Sequence, residues 1–318
     1  MKQKTFTTTE TIDPERLATP SEILKPAFVM CPPFSLSADN PNNVFMKKIP
    51  KEKREIDMNK AFHQFLSVYK FLSSNALVYL LPSRHGLQDL PYVANLGIKL
   101  PHINENLIVV ANFKSEPRRR ETDLGKCFFE MMGYKTIVAP KYFEGEADLK
   151  WLNNNVYVGG FGVRTNIEAL TWFHDKFDMK IIPVRSTDDL YHLDCTIFPL
   201  SSTSAVVVED AIEPRVLKAI EKHVEVITVP KHLGPSGVTN CVRVNKLVLA
   251  GSKIFDLKRT DEEYSLEAGK IQCLETLCAA RGFEPVIFNL SEFSKSGAAI
   301  SCMIMHLNYA DFMAGMPE

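Results

Sequence analysis

The sequence predicts an α/β fold, and three observations carry that prediction. Short apolar, strand-like runs alternate with amphipathic, helix-like segments from Lys25 onward. Several strand-like runs follow one another with no helix between, unlike a plain doubly wound sheet. Neither a G-x-G-x-x-G nor a Walker A sequence occurs, so the usual nucleotide-cradling loops are missing.

Each element has its own reason. The apolar run 27–31 reads as a strand. Residues 57–73 read as a helix, because Phe62, Leu66, Tyr69 and Leu72, with Phe65, recur on one face. Strands follow at 76–81, ended by Pro82, and at 107–112. Residues 121–134 are helical, with Leu124, Cys127, Phe128, Met131 and Met132 as the apolar stripe and Gly133 as the stop. Strands at 135–139 and 156–159, a helix at 167–177 and a strand at 180–184 complete the first half. In the second half, strands are expected at 194–198, 205–208, 224–229, 246–250, 286–289 and 301–306, and helices at 213–222 and 262–280. The stretch 230–240 holds Gly234, Pro235, Ser236 and Gly237 and reads as a loop. Residues 1–24 read as an N-terminal extension, 25–309 as one compact domain and 310–318 as a C-terminal tail.

Composition narrows the function. The chain has 318 residues, 45% hydrophobic and 24% charged, with a net charge of −1. Such a balance disfavours nucleic acid as the main ligand, and the Arg118-Arg119-Arg120 cluster is too short to change that. No run of about 18 apolar residues marks a membrane span. No apolar core of a secretory signal precedes Leu24. The seven cysteines form no C-x-x-C and no zinc-like Cys/His spacing; the sequence as a whole implies no metal or organic cofactor. Free thiols in a reducing, cytoplasmic compartment are the simplest reading.

Five segments could carry chemistry. In Tyr191-His192-Leu193-Asp194, just before an apolar run, strand alternation would put His192 and Asp194 on one face. Phe143-Glu144-Gly145-Glu146-Ala147-Asp148 crowds three carboxylates that repel unless a cation or proton compensates. Lys295 through Met303 places small residues before Cys302, at the expected start of a strand. Ala94-Asn95-Leu96-Gly97 and the stretch from Phe113 through Arg118 to Glu121 are unremarkable alone. The bland alternatives are a structural histidine, a solvated acidic turn and a buried cysteine.

Together and in this order, the segments resemble the guanidino-group-modifying superfamily, and within it the bacterial arginine dihydrolases. Cys31-Pro32-Pro33 and Asn43-Val44-Phe45-Met46 are similar to that family's CPP and NPWM, and Val93 through Gly97 to its TANAG. The Phe113–Glu121 stretch is similar to FRHPERxGE, and Phe143–Asp148 to FEGxGD. Gly160 through Thr165 resembles GYGFRS, Tyr191 through Asp194 matches YHLD, and Glu292-Phe293 with Gly297-Ala298-Ala299 and Cys302 resembles EF and GGAAKC. The chain departs at Val44, where the family has Pro, and at Ala147, where it has Gly.

The resemblance implies a five-fold pseudo-symmetric α/β propeller, or pentein, around a central polar channel, with 25–309 as its catalytic domain. It also implies that Cys302 attacks the guanidino carbon, that His192 serves as proton donor and then base, and that Glu144 and Asp194 hold the guanidinium nitrogens. Asp148 would position Glu144, Arg118 and Arg164 would take an α-carboxylate, and Asn43 would join the substrate site. Asn95 stands where deiminases and dimethylarginine hydrolases carry an acid. Its amide can hold first a cation and then a neutral ureido oxygen, which suits two successive hydrolyses of arginine to ornithine. Cys241 is expected to be structural. The alternatives are an arginine deiminase or dimethylarginine dimethylaminohydrolase, an amidinotransferase, and a non-catalytic arginine-binding protein. The expected partner is a small molecule, with neither nucleic acid nor membrane. Self-assembly into a homo-oligomer is left open.

Overall fold

The computed structural model describes residues 19–313; residues 1–18 of the expected extension and 314–318 of the expected tail lie outside the described residues. Fifteen short strands make five three-stranded sheets among the described residues. The first sheet joins both ends of that region: β1 (Ala27–Met30) pairs with β15 (Met305–His306) and β2 (Leu77–Leu80). The others follow in chain order: β3 (Gly97–Lys99), β4 (Leu107–Val110) and β5 (Lys135–Val138); β6 (Leu149–Asn153), β7 (Val156–Phe161) and β8 (Lys180–Arg185). Then come β9 (Ile197–Ser201), β10 (Ser204–Val208) and β11 (Glu225–Val229), and last β12 (Cys241–Val244), β13 (Leu247–Ser252) and β14 (Glu284–Asn289).

All five sheets obey one rule. The central strand is antiparallel to one neighbour and parallel to the other. The parallel partner is reached through a crossover helix, since parallel strands need a long connection. These helices are Met58–Asn75, Glu121–Met131, Ile167–Phe177, Pro214–Glu221 and Glu262–Arg281.

The central strands are buried on both faces, which explains their unbroken apolar runs. Side chains alternate across a strand, so each central strand supplies two cores. Ala27 and Val29 enter one cluster, Phe28 and Met30 the next. Val206 and Val208 likewise separate from Ala205 and Val207. Five clusters therefore each join two neighbouring sheets, and one of them links β12–β14 to β1.

Three expectations need correction. The strand expected at 194–198 starts at Ile197, because Leu193–Cys195 forms a 3₁₀ turn. The strand expected at 301–306 is mostly a helical turn, Ile300–Met303, followed by the two residues of β15. Within the expected loop, Lys231–Ser236 is a 3₁₀ helix. The short strands β3, β6 and β12 were not anticipated. These differences share one feature: a short helical turn precedes the antiparallel strand of each unit, too brief to leave a period in the sequence.

Residues 19–24 are tied to the fold by Asn308. Its Nδ2 donates to the carbonyls of Pro20, Ile23 and Lys25, and its Oδ1 accepts from the Ala27 N–H. The expected tail includes a helical turn, Ala310–Met313, whose Phe312 is buried. No helix among the described residues is long and apolar enough to cross a membrane. Asn308→Ala strands several buried backbone groups at the junction of the chain ends, and is expected to cost about 2–3 kcal/mol in urea unfolding.

Candidate active site

The five turns place the chemistry. Val93–Leu96 carries Asn95, Glu144 and Asp148 flank Gly145–Ala147, and His192 precedes Leu193–Cys195, which holds Asp194. Asn240 directly precedes β12, and Cys302 lies in the turn before β15. The acidic turn can pack this closely because residue 145 is glycine. Its φ is +59°, and a Cβ there would sit 2.4 Å from the Ala94 carbonyl oxygen.

Cys302 is buried. Its Sγ lies 3.6 Å from Asp194 Oδ2, an oxygen that also accepts from Ser301 Oγ at 2.6 Å. Burial, then the Asp194 charge, pushes the thiol up to about 12, against weaker hydrogen bonds from the Ala299 backbone and Asn240. Without a cation beside it, this sulfur holds its proton.

His192 Nε2 meets Glu144 Oε2 at 2.9 Å, and the Asn95 amide nitrogen lies 3.5 Å from the same ring nitrogen. Arg164 Nη1 donates to Glu144 Oε1 at 3.2 Å, and its Nη2 donates to the Asn42 carbonyl at 2.8 Å. Burial alone would raise the Glu144 carboxyl. Arg164, His192 and Arg118 outweigh it and hold that carboxyl well below the usual range. Asp148 accepts from Thr165 Oγ1 at 2.6 Å and from the Leu193 N–H at 3.1 Å. Burial lifts its carboxyl to about 6 against the pull of the His192 charge.

One small cavity is lined by Asn43, Asn95, Arg118, Arg164, His192 and Cys302, so six of the nine expected residues converge. Glu144, bonded to His192, and Asp148, bonded to Thr165 and the Leu193 N–H, are buried off that wall. Asp194 faces a second cavity of about 140 Å³ that also reaches Cys302. Arg118 is already engaged: it forks onto Glu121, with Nη2 at 2.7 Å, and donates to the carbonyls of Asp89 and Tyr92. Asn43 caps the helical turn Val44–Lys48 through the Met46 N–H and donates to the Ser296 carbonyl. Cys241 is buried in β12 and is absent from the cavity that holds His192.

Sequence reasoning missed Asp89 and Asn240. Asp89 is a buried carboxylate on the wall that holds Arg118 and Arg164, and it accepts from Asn42 Nδ2 at 2.6 Å. Its one signal was an acid between Gln88 and the apolar Leu90-Pro91. Among the described residues, no group of His, Cys, Asp and Glu is placed to hold a metal ion.

A family model described as N,N dimethylarginine dimethylhydrolase, eukaryotic, matches residues 33–309. The chain belongs to that family. Members of this dimethylarginine dimethylhydrolase family share the guanidino-modifying pentein superfamily with several relatives of the chain. It is 27% identical over 293 residues to the bifunctional arginine dihydrolase/ornithine cyclodeaminase AgrE of Nostoc sp., covering 88% of this chain. It is 25% identical over 287 residues to ArgZ, of the same description, from Synechocystis sp., again covering 88% of this chain. The chain spans 37% of the length of each of these two relatives. In structure it is similar to the N-terminal domain of cyanobacterial ArgZ bound to substrate, with a TM-score of 0.76, 22% identity, and coverage of 89% of this chain and 98% of that one. At that identity the likeness speaks for the fold.

Because Glu144 is held ionised in the folded state, its contribution is present above the ordinary carboxylate range and is lost as pH falls below it. Glu144→Gln is therefore expected to cost about 3 kcal/mol near neutral pH. Measured by urea unfolding, that difference should shrink as pH is lowered below about 4.

Proposed function

We propose that this protein hydrolyses C–N bonds in the guanidino group of arginine, in the manner of an arginine dihydrolase. The observation that carries the reading is the convergence of the Cys302 thiol, the His192 imidazole and the Asn95 amide on one cavity. Family membership supports the guanidino chemistry, and Asn95 supports the double hydrolysis. The ring of five sheets is read as a closed pentein propeller, with its site where the five turns meet. The compartment is read as reducing and cytoplasmic, as seven free cysteines suit.

A guanidinium is planar and its carbon is a poor electrophile, so the site must supply a strong nucleophile, a rigid hold and a proton for the leaving nitrogen. Arg164 draws the α-carboxylate, Arg118 adds only its positive charge from the cavity wall while forked onto Glu121, and Asp89 can accept the α-ammonium. The arriving cation offsets the Asp194 charge that keeps the Cys302 proton in place, and the thiol passes that proton to His192 and becomes a thiolate. Sulfur attacks the guanidino carbon, His192 protonates the departing ammonia, and a covalent thiouronium remains. His192, held by Glu144, then takes a proton from water as that water attacks; the thiol leaves and citrulline forms. The ureido oxygen is neutral and accepts a hydrogen bond from the Asn95 NH₂, which a carboxylate could not give. A second round releases ammonia and carbon dioxide, so arginine and two waters yield ornithine, two ammonia and one carbon dioxide.

The family description favours a second reading, in which dimethylarginine yields citrulline and dimethylamine. Product analysis with arginine, dimethylarginine, agmatine and citrulline separates the two. Binding measured by calorimetry with no release of ammonia would instead favour a silent arginine-binding protein.

With arginine as substrate, Cys302→Ser should cut ammonia release about a thousandfold or more, while Cys241→Ser keeps it. Asn95→Asp should stall the reaction at citrulline. Ornithine formed at an unchanged ratio by that variant would remove the role given to Asn95.

A further inference from the structure

We propose that Asn240 is a further catalytic residue, whose side-chain amide donates to the Cys302 sulfur and steadies it as a thiolate. The proposal rests on the reading of Cys302 as nucleophile. Nothing in the sequence patterns above gave Asn240 a part.

The argument is one of hydrogen-bond direction. The Ser301 backbone N–H can only donate, and it meets Asn240 Oδ1 at 2.9 Å. Flipping the amide would set two donors against each other. The NH₂ end must therefore face away from Ser301, and there it meets Cys302 Sγ at 3.9 Å. Asn240 is 4% exposed, so water competes little for that donor. Its turn is also fixed: the Asn240 N–H donates to the Gly237 carbonyl, and Thr239 Oγ1 donates to the Asp194 carbonyl.

The sulfur thus sits between two groups of opposite preference. Asp194, a carboxylate 3.6 Å away, can only accept, and it favours the protonated thiol. Asn240 can offer the sulfur only N–H, and it favours the anion. When a cation offsets Asp194, the donor from Asn240 is left to decide the balance. Of the other titratable groups, Tyr92, Lys150, Tyr191 and Cys195 act electrostatically on the sulfur, and Asp89, Arg118, Arg164 and His192 share a cavity with it; the variants below leave them all in place. Asn240 and Cys302 both line the second cavity, so a small reagent can approach the sulfur from that side.

The test is alkylation of Cys302 by iodoacetamide, followed by peptide mass spectrometry across a range of pH, in the wild type, Asn240→Ala and Asn240→Asp. It uses no guanidine substrate. Asn240→Ala should slow alkylation about tenfold and move the profile up by about one pH unit. Asn240→Asp still accepts from Ser301 N–H and so preserves the local fold, but it turns an anion toward the sulfur. It should therefore shift the profile further, and it decides the matter if the alanine variant does not fold. An aspartate variant with the wild-type profile would reduce Asn240 to a prop for the turn and overturn the proposal. A shifted profile in a protein that releases no ammonia from any guanidine would instead leave Asn240 in place and remove the substrate reading. Turnover with an unshifted profile does the reverse.

Discussion

Glu144 is fully buried and ionised, and the surrounding structure has to compensate that charge. Removing a carboxylate from water costs several kcal/mol unless opposite charge and hydrogen bonds replace the solvent. Arg164 occupies one oxygen and His192 the other. Arg164 also holds the Asn42 carbonyl, so the segment leading to Asn43 is drawn over the site. The same interaction thus orients the imidazole, places a guanidinium fork on the cavity wall and anchors part of that wall.

That compensation is possible only because the turns approach one another closely. Gly145 lets the acidic turn lie against the backbone of Ala94 and Asn95. Asp148 then reaches across to the Leu193 N–H, which sets the backbone beside His192. Cys302 arrives from the opposite end of the chain, because β15 pairs antiparallel with β1. A thiol in a strand would have been confined to one pleat direction. On a helical turn it touches the Asp194 carboxylate while reaching two cavities.

The electrostatic setting of the Cys302 thiol has a functional meaning under the proposed reaction. A thiol held at about 12 is poorly reactive toward stray electrophiles. The guanidinium that is to be attacked also supplies the charge that ionises it. The two cavities divide the surroundings of the sulfur. His192, Asn95 and the two arginines lie on one side, and Asp194 and Asn240 line the other.

The amino-acid sequence by itself determined the α/β class, the crossover helices and all five central strands. It could do so because each central strand, apolar on both faces, leaves an unbroken apolar run, and helices such as Met58–Asn75 and Glu121–Met131 carry an apolar stripe at helical spacing. The helix Ile167–Phe177 ends where its stripe ends. The sequence also singled out a thiol, an imidazole and a set of acids as candidates, through motifs in a fixed order along the chain. Tertiary structure alone decided how they meet. Turns of three or four residues have no period, so 194 and 302 read as strand when they are helical. Arg118 looked available for a substrate carboxylate, yet it is already forked onto Glu121, three residues on. Asn240 carried no signal, because its meaning lies in which end of an amide faces a sulfur 62 positions away. Hydrogen-bond direction belongs to geometry, and no local pattern of residue types encodes it.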